Sequence, residues 1–480
     1  MARASPVRVA LFGVIVLAAA LYGPTLHDFF AQDDFVLLSA ARAVARAPGS
    51  LLAPAGDTFP PGYHTPQVVW WTVGWWLGKG DPTIFRAGQI LKLAALLLEI
   101  FVLATRLGAG SGGAIFAMWF FLLMPLPAES IYWLSATPLH IVIALAGLVL
   151  FIAWLQGRRG TPALVAAFLL AWISAWTKEA AIWSFAAIGA ACLILPGARS
   201  PRARAIALSL ALASALLYVA LYLALPYHYP SRSGGIPSIA RSYFHLVVRA
   251  WLEPAAAVRM AAYERGLPSW AGWALSRLTA LGLLVAALWS MNVLRRRPGA
   301  SGRFRSLLFT VMVSAAAVLP YSLSHVSGGR YLTDSGVWVA LSFGLVTEPF
   351  LSGRRTAWGL VTACAIFSAV TFMATAPARE TWALLGRTTR KLCEEIRAGA
   401  DRVDRYGVVG FPEKGGYLRV WHMPRIISLY DPSVSTIEVA ARVPRTIPPG
   451  TAVIVYTIER MPDRYHTTLA SPPIAPGGGR

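Results

Sequence analysis

Ala31-Gln32-Asp33-Asp34-Phe35 puts two adjacent carboxylates directly after the first long apolar run of the chain, residues 7–24. Acids in that position mark where an apolar helix emerges into water. The surrounding chain is strongly apolar. Of 480 residues, 56% are hydrophobic and only 14% are charged, with 18 Trp. The mean hydropathy is +0.56. Soluble domains carry about 25% charged residues. The composition is that of a helical membrane protein with many spans, and it excludes an ordinary soluble domain.

A span needs about 20 apolar residues. On that rule the chain divides into about eleven spans, near 7–24, 84–107, 111–127, 138–156, 161–177, 180–196, 206–226, 271–294, 306–323, 335–351 and 356–376. The Trp-rich segment Val68–Leu77 is too short to cross and suits the membrane–water interface. Arg3 and Arg8 precede the first run without a clean cleavage site, which reads as an uncleaved first helix. The formal net charge of +21 comes mostly from short Arg clusters between apolar runs. They are better explained as orientation signals and contacts to anionic lipid than as a nucleic-acid surface. If eleven spans alternate, Arg106, Arg158/Arg159, Arg199/Arg202/Arg204, Arg295–Arg297 and Arg354/Arg355 all fall with the N-terminus on the cytoplasmic side. Loops 25–67 and 227–270, the turns around Glu129, Lys178-Glu179 and Arg330, and the C-terminus then fall outside. Cys192, Cys364 and Cys393 have no spacing that implies zinc or a disulfide framework.

After Pro377 the composition changes. Thr381–Arg405 has helical spacing with many charges, and Tyr406–Phe411, Tyr417–His422, Ile426–Leu429 and Thr451–Thr457 read as short strands between turn residues. The expected organisation is an all-α transmembrane domain over 1–376 and a small extracytoplasmic α/β domain over 377–480. The Pro/Gly-rich end, Ser471–Arg480, is expected to be disordered. No internal repeat is present.

On this topology the polar residues that could carry chemistry collect on one face: Asp33 and Asp34, Glu129, Lys178 and Glu179, Arg330 and Tyr331, and Tyr63-His64 in the first loop. Carboxylates and cations at a water–membrane boundary suit transfer of a group from a phosphate-bearing lipid. A carboxylate accepts the proton of an attacking hydroxyl, and Lys and Arg stabilise charge growing on a leaving phosphate. Each has a plainer reading: Asp33/Asp34 as a helix stop, Glu129 and Lys178-Glu179 as solvated turns, Arg330 as a headgroup anchor. Lys92 and Glu99 lie seven residues apart on one helical face and read as a structural pair facing the bundle. His140 reads as a satisfied polar residue and Glu348 as structural. No metal is required, although two adjacent acids near Glu129 could hold a divalent cation.

Gln32-Asp33-Asp34-Phe35, Pro125-Leu126-Pro127-Ala128-Glu129-Ser130-Ile131-Tyr132-Trp133-Leu134, Thr177-Lys178-Glu179-Ala180-Ala181 and Arg330-Tyr331-Leu332 occur in this order. Together they resemble the polyprenyl-phosphate-dependent integral membrane glycosyltransferases of the GT-C fold, above all the protein O-mannosyltransferases. The likeness covers about 1–350 and includes Gly80-Asp81-Pro82 before the second span. It implies that Asp33 or Asp34 is the base that activates an acceptor hydroxyl, with Glu129 placed near the acceptor or the base. It also implies that Lys178 and Arg330 hold the donor phosphate and that Tyr331 lines the donor cleft. The chain departs from the family in three places. Tyr63-His64-Thr65-Pro66 has no Arg before the Pro, Gln89 and Lys92 stand near the usual Asn and His, and Ser135-Ala136-Thr137 follows Trp133-Leu134 without an Arg. The expected activity is transfer of a sugar from a polyprenyl-phosphate carrier to a hydroxyl of a protein, lipid or glycan on the extracytoplasmic face, by a multi-pass protein of the cell inner membrane. A transporter or flippase for a lipid-linked sugar is the alternative, and a non-enzymatic assembly factor is a third reading.

Overall fold

The computed structural model describes residues 5–31, 34–52, 64–125, 130–136, 138–224, 236–295, 300–323, 332–351, 353–399, 405–409, 429, 436–440, 451–461 and 464–474. A helix coincides with each of the eleven apolar runs. They are α1 (Pro6–Tyr22), α4 (Pro82–Arg106), α5 (Ser111–Leu123), α6 (Leu139–Leu155), α7 (Thr161–Thr177), α8 (Trp183–Ile194), α9 (Pro201–Ala224), α11 (Ser269–Arg295), α12 (Ala300–Leu323), α13 (Thr333–Thr347) and α14 (Arg354–Gly399). Three further helices lie between them: α2 (Asp34–Arg46), α3 (Thr65–Gly78) and α10 (Ile236–Glu264). Among the described residues, five stretches are long and apolar enough to cross a membrane: Pro6–His27, Pro82–Arg106, Pro201–Ala224, Ser301–Leu323 and Arg355–Glu394. Outward-facing leucines such as Leu212 and Leu216 on α9 and Leu278, Leu281 and Leu284 on α11 form the apolar exterior that lipid covers. The chain is a multi-pass membrane protein.

Local sequence sets the helix ends. Pro82 occupies the first turn of α4, and the Asp81 carboxylate accepts the Thr83 N–H at 2.9 Å. The helix stops where Leu107 leads into Gly108 at φ +98°, a conformation that favours glycine. Glu348, read as structural from sequence, accepts the Gly113 N–H at 2.8 Å and so satisfies an orphan donor at the start of α5.

The core is built on α1, α4, α5, α6 and α13. Helices α5 and α13 cross at Gly113 and Gly344, where a Cβ on Gly344 would lie 2.6 Å from the Gly113 carbonyl oxygen. Small residues at such a crossing let two backbones meet, the usual device where no hydrophobic drive separates helix from lipid. Hydroxyl pairs add polar ties between helices. Thr310 and Ser342 lie 2.7 Å apart, as do Ser314 and Ser335, and Thr371 donates to the Leu123 carbonyl at 2.7 Å.

Two stretches differ from the sequence expectation. The loop 227–270 contains a 29-residue helix, α10, which buries Leu246, Ala250 and Glu253 and leaves Phe244 and Met260 exposed. Arg241, His245, Arg249 and Glu253 lower its mean hydropathy, so it does not read as a span although it has a buried face. Helix α14 runs unbroken through Pro377 for 46 residues, so the composition change there falls inside a helix. Beyond it, strands β1 (Arg405–Val409), β2 (Thr436–Ala440), β3 (Thr451–Met461) and β4 (Arg464–Ile474) form one sheet in the order β2-β1-β3-β4. β1 is parallel to β2 and β3, with Tyr406 opposite both Ile437 and Ala452, and β3 pairs antiparallel with β4. Strand β4 takes in Ser471–Ile474, the start of the segment expected to be disordered. The strands expected at 417–422 and 426–429 lie outside the described residues apart from Leu429, which is not in a strand.

Gly344→Ala should lower the melting temperature in detergent by the equivalent of about 1–3 kcal/mol, the cost of overpacking a close contact. Gly282→Ala, on an exposed face of α11 with nothing within 4 Å of the new Cβ, should leave it unchanged or raise it.

Candidate functional site

Asp34 opens α2 and is fully buried, 0% exposed. Its Oδ2 accepts the Ala31 N–H at 2.9 Å and its own N–H donates to the Ala31 carbonyl at 3.0 Å, which closes the turn that enters the helix. Its Oδ1 accepts the Ser135 N–H at 2.8 Å. One carboxylate thus joins the loop after α1 to the loop before α6.

Residues 130–136 are a broken stretch, helical over 130–132 and a 3-10 turn at Leu134–Ala136, in an apolar setting, so the backbone groups that such short turns leave unpaired need partners. The partners come from one face of α4. Arg86 donates from Nη1 to the Tyr132 carbonyl at 2.5 Å, from Nη2 to the Phe29 carbonyl at 2.9 Å and from Nε to the Asp28 carbonyl at 3.3 Å. One turn on, Gln89 donates to the Ser130 carbonyl at 2.6 Å. From α3, Gln67 donates to the Ser135 carbonyl at 2.8 Å. Trp133 stacks on Trp382 of α14 with ring centroids 5.5 Å apart. Nearby, burial raises the Asp28 carboxyl above its usual range, against the pull of Arg86, Arg387 and Arg390.

Lys92 continues the same face of α4. It is buried, its Nζ lies 5.1 Å from the Trp70 ring centre, and it feels the Asp34 charge. Glu99 has no charged partner among the described residues, so the expected Lys92–Glu99 pair is not formed. Seven residues place the two about 10 Å apart along the helix axis, and the charge that reaches Lys92 is that of Asp34.

A second polar group surrounds Lys178 at the turn between α7 and α8. His64 is 9% exposed and sits at φ +57°. Its Nδ1–H donates to the Thr177 carbonyl at 2.6 Å, which fixes the first loop against this turn. Lys178 Nζ lies 5.5 Å from the Tyr321 ring centre, and Ala180 packs with Tyr321 and Leu332. His140 is buried against Asp334, an acid the sequence reading did not single out. The two polar groups meet where Ser130 and Thr333 share a hydrogen bond of 2.9 Å. Asp33, Tyr63, Glu129, Arg330 and Tyr331 lie outside the described residues. Glu179, in the short turn Glu179–Ile182, is half-buried and close enough to act on His64.

Among the described residues no group of three His, Cys, Asp or Glu stands together to hold a metal. Arg86 and Asp334 were legible in principle, as charges at apolar helices that need partners.

The arrangement is the GT-C fold. No protein-family model matches the chain, and no curated protein matches it in sequence. Among solved structures it is similar to apo ArnT from Cupriavidus metallidurans, with a TM-score of 0.53, 13% identity, and coverage of 89% of this chain and 84% of that one. The same protein bound to undecaprenyl phosphate aligns with a TM-score of 0.51, 12% identity, and coverage of 88% and 85%.

Burial is the main cause that lowers the His64 pKa; Glu179 and the Thr177 carbonyl act the other way. With the folded value below an unfolded value of about 6.5, the unfolded chain binds more protons between the two, so stability rises with pH across that window and is lost as pH falls through it. His64→Asn keeps a donor and tolerates the left-handed backbone. Its melting temperature should therefore fall less than that of the wild type between pH 7 and pH 5.

Proposed function

We propose that this chain is an integral membrane glycosyltransferase that moves a sugar from a polyprenyl-phosphate carrier to a hydroxyl on the extracytoplasmic face. One observation carries the reading. Asp34 to Ser135, Ser130 to Thr333 and His64 to Thr177 join into one site the three loops that bear the acids and the lysine, on a fold shared with a protein that binds undecaprenyl phosphate.

In the proposed reaction a carboxylate takes the proton of the acceptor hydroxyl as its oxygen attacks the anomeric carbon. The bond from that carbon to the phosphate oxygen breaks on the opposite side, with inversion, and the electron pair leaves on polyprenyl phosphate. Lys178 and Arg330 stabilise that charge, Tyr331 lines the donor cleft, and Glu129 stands near the acceptor. Both Asp34 oxygens already accept backbone N–H groups. Asp33 is therefore the better candidate for the base, with Asp34 setting its position. The acceptor is a protein, lipid or glycan hydroxyl. Tyr63, His64 and Glu179 shape the loop side of the site. A transporter or flippase of lipid-linked sugars would use the same carrier but needs a sealed membrane, whereas transfer proceeds in detergent.

Purified protein in detergent, given radiolabelled polyprenyl-phosphate monosaccharides and a membrane extract as acceptor source, should release label from the carrier. Asp33→Asn should cut turnover by at least about 100-fold, the low end for a general base, with an unchanged melting temperature. Asp34→Asn should lower both. Binding of donor without any turnover would move the transport reading to the front. The chemistry as written needs no metal, so EDTA should leave the rate unchanged; a loss restored by Mg2+ would place a cation at the acids.

A further inference from the structure

Helix α10 and the start of α11 carry a surface that the reaction above does not use. On α10, Leu246, Ala250, Ala257 and Ala261 recur at helical spacing and are buried. Leu246 and Ala250 cluster with Val318 and Tyr321, in the last two turns of α12. Ala257 and Ala261 cluster with Val370, Met373 and Ala374 of α14. The apolar stretch Ser301–Leu323 ends just beyond Tyr321. Helix α10 therefore lies across the end of a span, at a membrane boundary, and does not run through the bilayer. Its opposite face presents Arg241, Phe244, Val248, Leu252, Arg259 and Tyr263, again at helical spacing. Phe244 is 70% exposed, and Val248, Leu252 and Tyr263 are exposed as well. Apolar side chains and Arg together on an outward face suit a helix that lies in the headgroup layer.

Helix α11 starts from the same level. Gly272 lies against α10, where a Cβ on it would stand 3.5 Å from the Ala262 Cβ. Trp270, Trp273, Arg277, Leu281 and Leu284 follow at steps of three or four and are all exposed. The stripe runs from indole through guanidinium to leucine, the order met on passing from a membrane interface into hydrocarbon. Arg277 reaches back toward the start of its helix, with its guanidinium 5.9 Å from the Trp273 ring centre, as a snorkelling side chain does. Arg259 of α10 lies over the same ring at 4.4 Å. Two like charges beside one exposed ring repel each other. Among the described residues neither Arg259 nor Arg277 forms a salt bridge. The acids of 236–277 are Glu253, on the buried side of α10 with Arg249 at 3.8 Å, and Glu264, exposed at the end of that helix. An anion at the corner where α10 meets α11 would remove the repulsion.

We propose that this corner is a binding site for an anionic phospholipid of the surrounding bilayer: Arg259 and Arg277, set by Trp273, hold the headgroup phosphate, while Phe244, Val248 and Leu252 rest on the upper part of the acyl chains. A lipid fits better than a soluble partner. The cations stand at the head of a stripe that continues as lipid-facing leucines, so one amphipathic molecule satisfies both. The assignment does not depend on the sugar transfer proposed above.

The test places the full-length protein in phosphatidylcholine nanodiscs that carry a trace of phosphatidylglycerol with a photoreactive headgroup. Crosslinks are mapped by mass spectrometry, and melting temperature checks folding. Crosslinks should fall within 236–277. Unlabelled phosphatidylglycerol should compete them away, and the zwitterionic phosphatidylethanolamine should not. Equal competition by the two lipids, or no crosslink in 236–277, overturns the proposal. Arg259→Gln with Arg277→Gln should lower crosslinking there on the order of 25-fold, about 5-fold for each Arg at a lipid surface. Crosslinks elsewhere on the protein are the internal reference. R259K/R277K keeps both charges and should retain most of the signal. An unchanged signal in a folded R259Q/R277Q overturns the proposal. If that variant does not fold, wild type in rising salt decides: crosslinking should fall as exposed charges are screened, and a salt-independent signal overturns the proposal. Inorganic phosphate should compete no better than chloride at equal ionic strength. Displacement by it would assign a simple anion site and overturn the lipid. A protein that crosslinks as expected yet transfers no sugar keeps this site and removes the transferase reading.

Discussion

The orphan backbone groups of short helical turns inside an apolar bundle have no water to satisfy them. That constraint organises this protein around residues 130–136. Each carbonyl and N–H there that finds a partner finds it on a different element: Arg86 and Gln89 from α4, Gln67 from α3, Asp34 from α2. In hydrocarbon an unmet backbone group costs several kcal/mol, so these side chains hold in place a broken stretch whose turns are too short to pair their own backbone. Arg86 suits the task better than Lys would, because its planar fork reaches three carbonyls at once.

The buried polar residues divide between two neighbouring centres. One, around Asp34, is mainly occupied with backbone and sets the shape of the loops. The other, around Lys178, His64, His140 and Asp334, brings charged side chains together. Ser130 and Thr333 connect them. The C-terminal half of α14 adds a support from outside. Trp382 stacks on Trp133, and Arg390 donates to the His27 carbonyl at 3.1 Å.

Much of this was legible in the residues. Composition and hydropathy declare a multi-pass membrane protein. Apolar runs mark the helices, because a span has to satisfy its own backbone and so must be a long apolar helix. Asp33-Asp34, Glu129, Lys178 and Arg330 stand out because acids and cations are rare in such a chain. Helix α10 escaped because its polar residues mask a face that is apolar only against its neighbours. The continuity of α14 escaped because Pro377 reads locally as a break, yet flanking turns carry the helix through it. The Lys92–Glu99 pair was inferred from spacing on one helix, and spacing says nothing of what faces that helix.

The sequence by itself determined the class of protein, the positions of its apolar helices and which charged residues demand an explanation. Those depend on local composition and periodicity. Only the tertiary structure decided the partners: that Asp34 binds backbone on two loops, that Arg86 secures three carbonyls, that His64 reaches the Lys178 turn, and that His140 answers Asp334 from 194 residues away. A buried polar group is stable only with its complement, and the complement comes from whichever helix packs beside it, however distant in the chain.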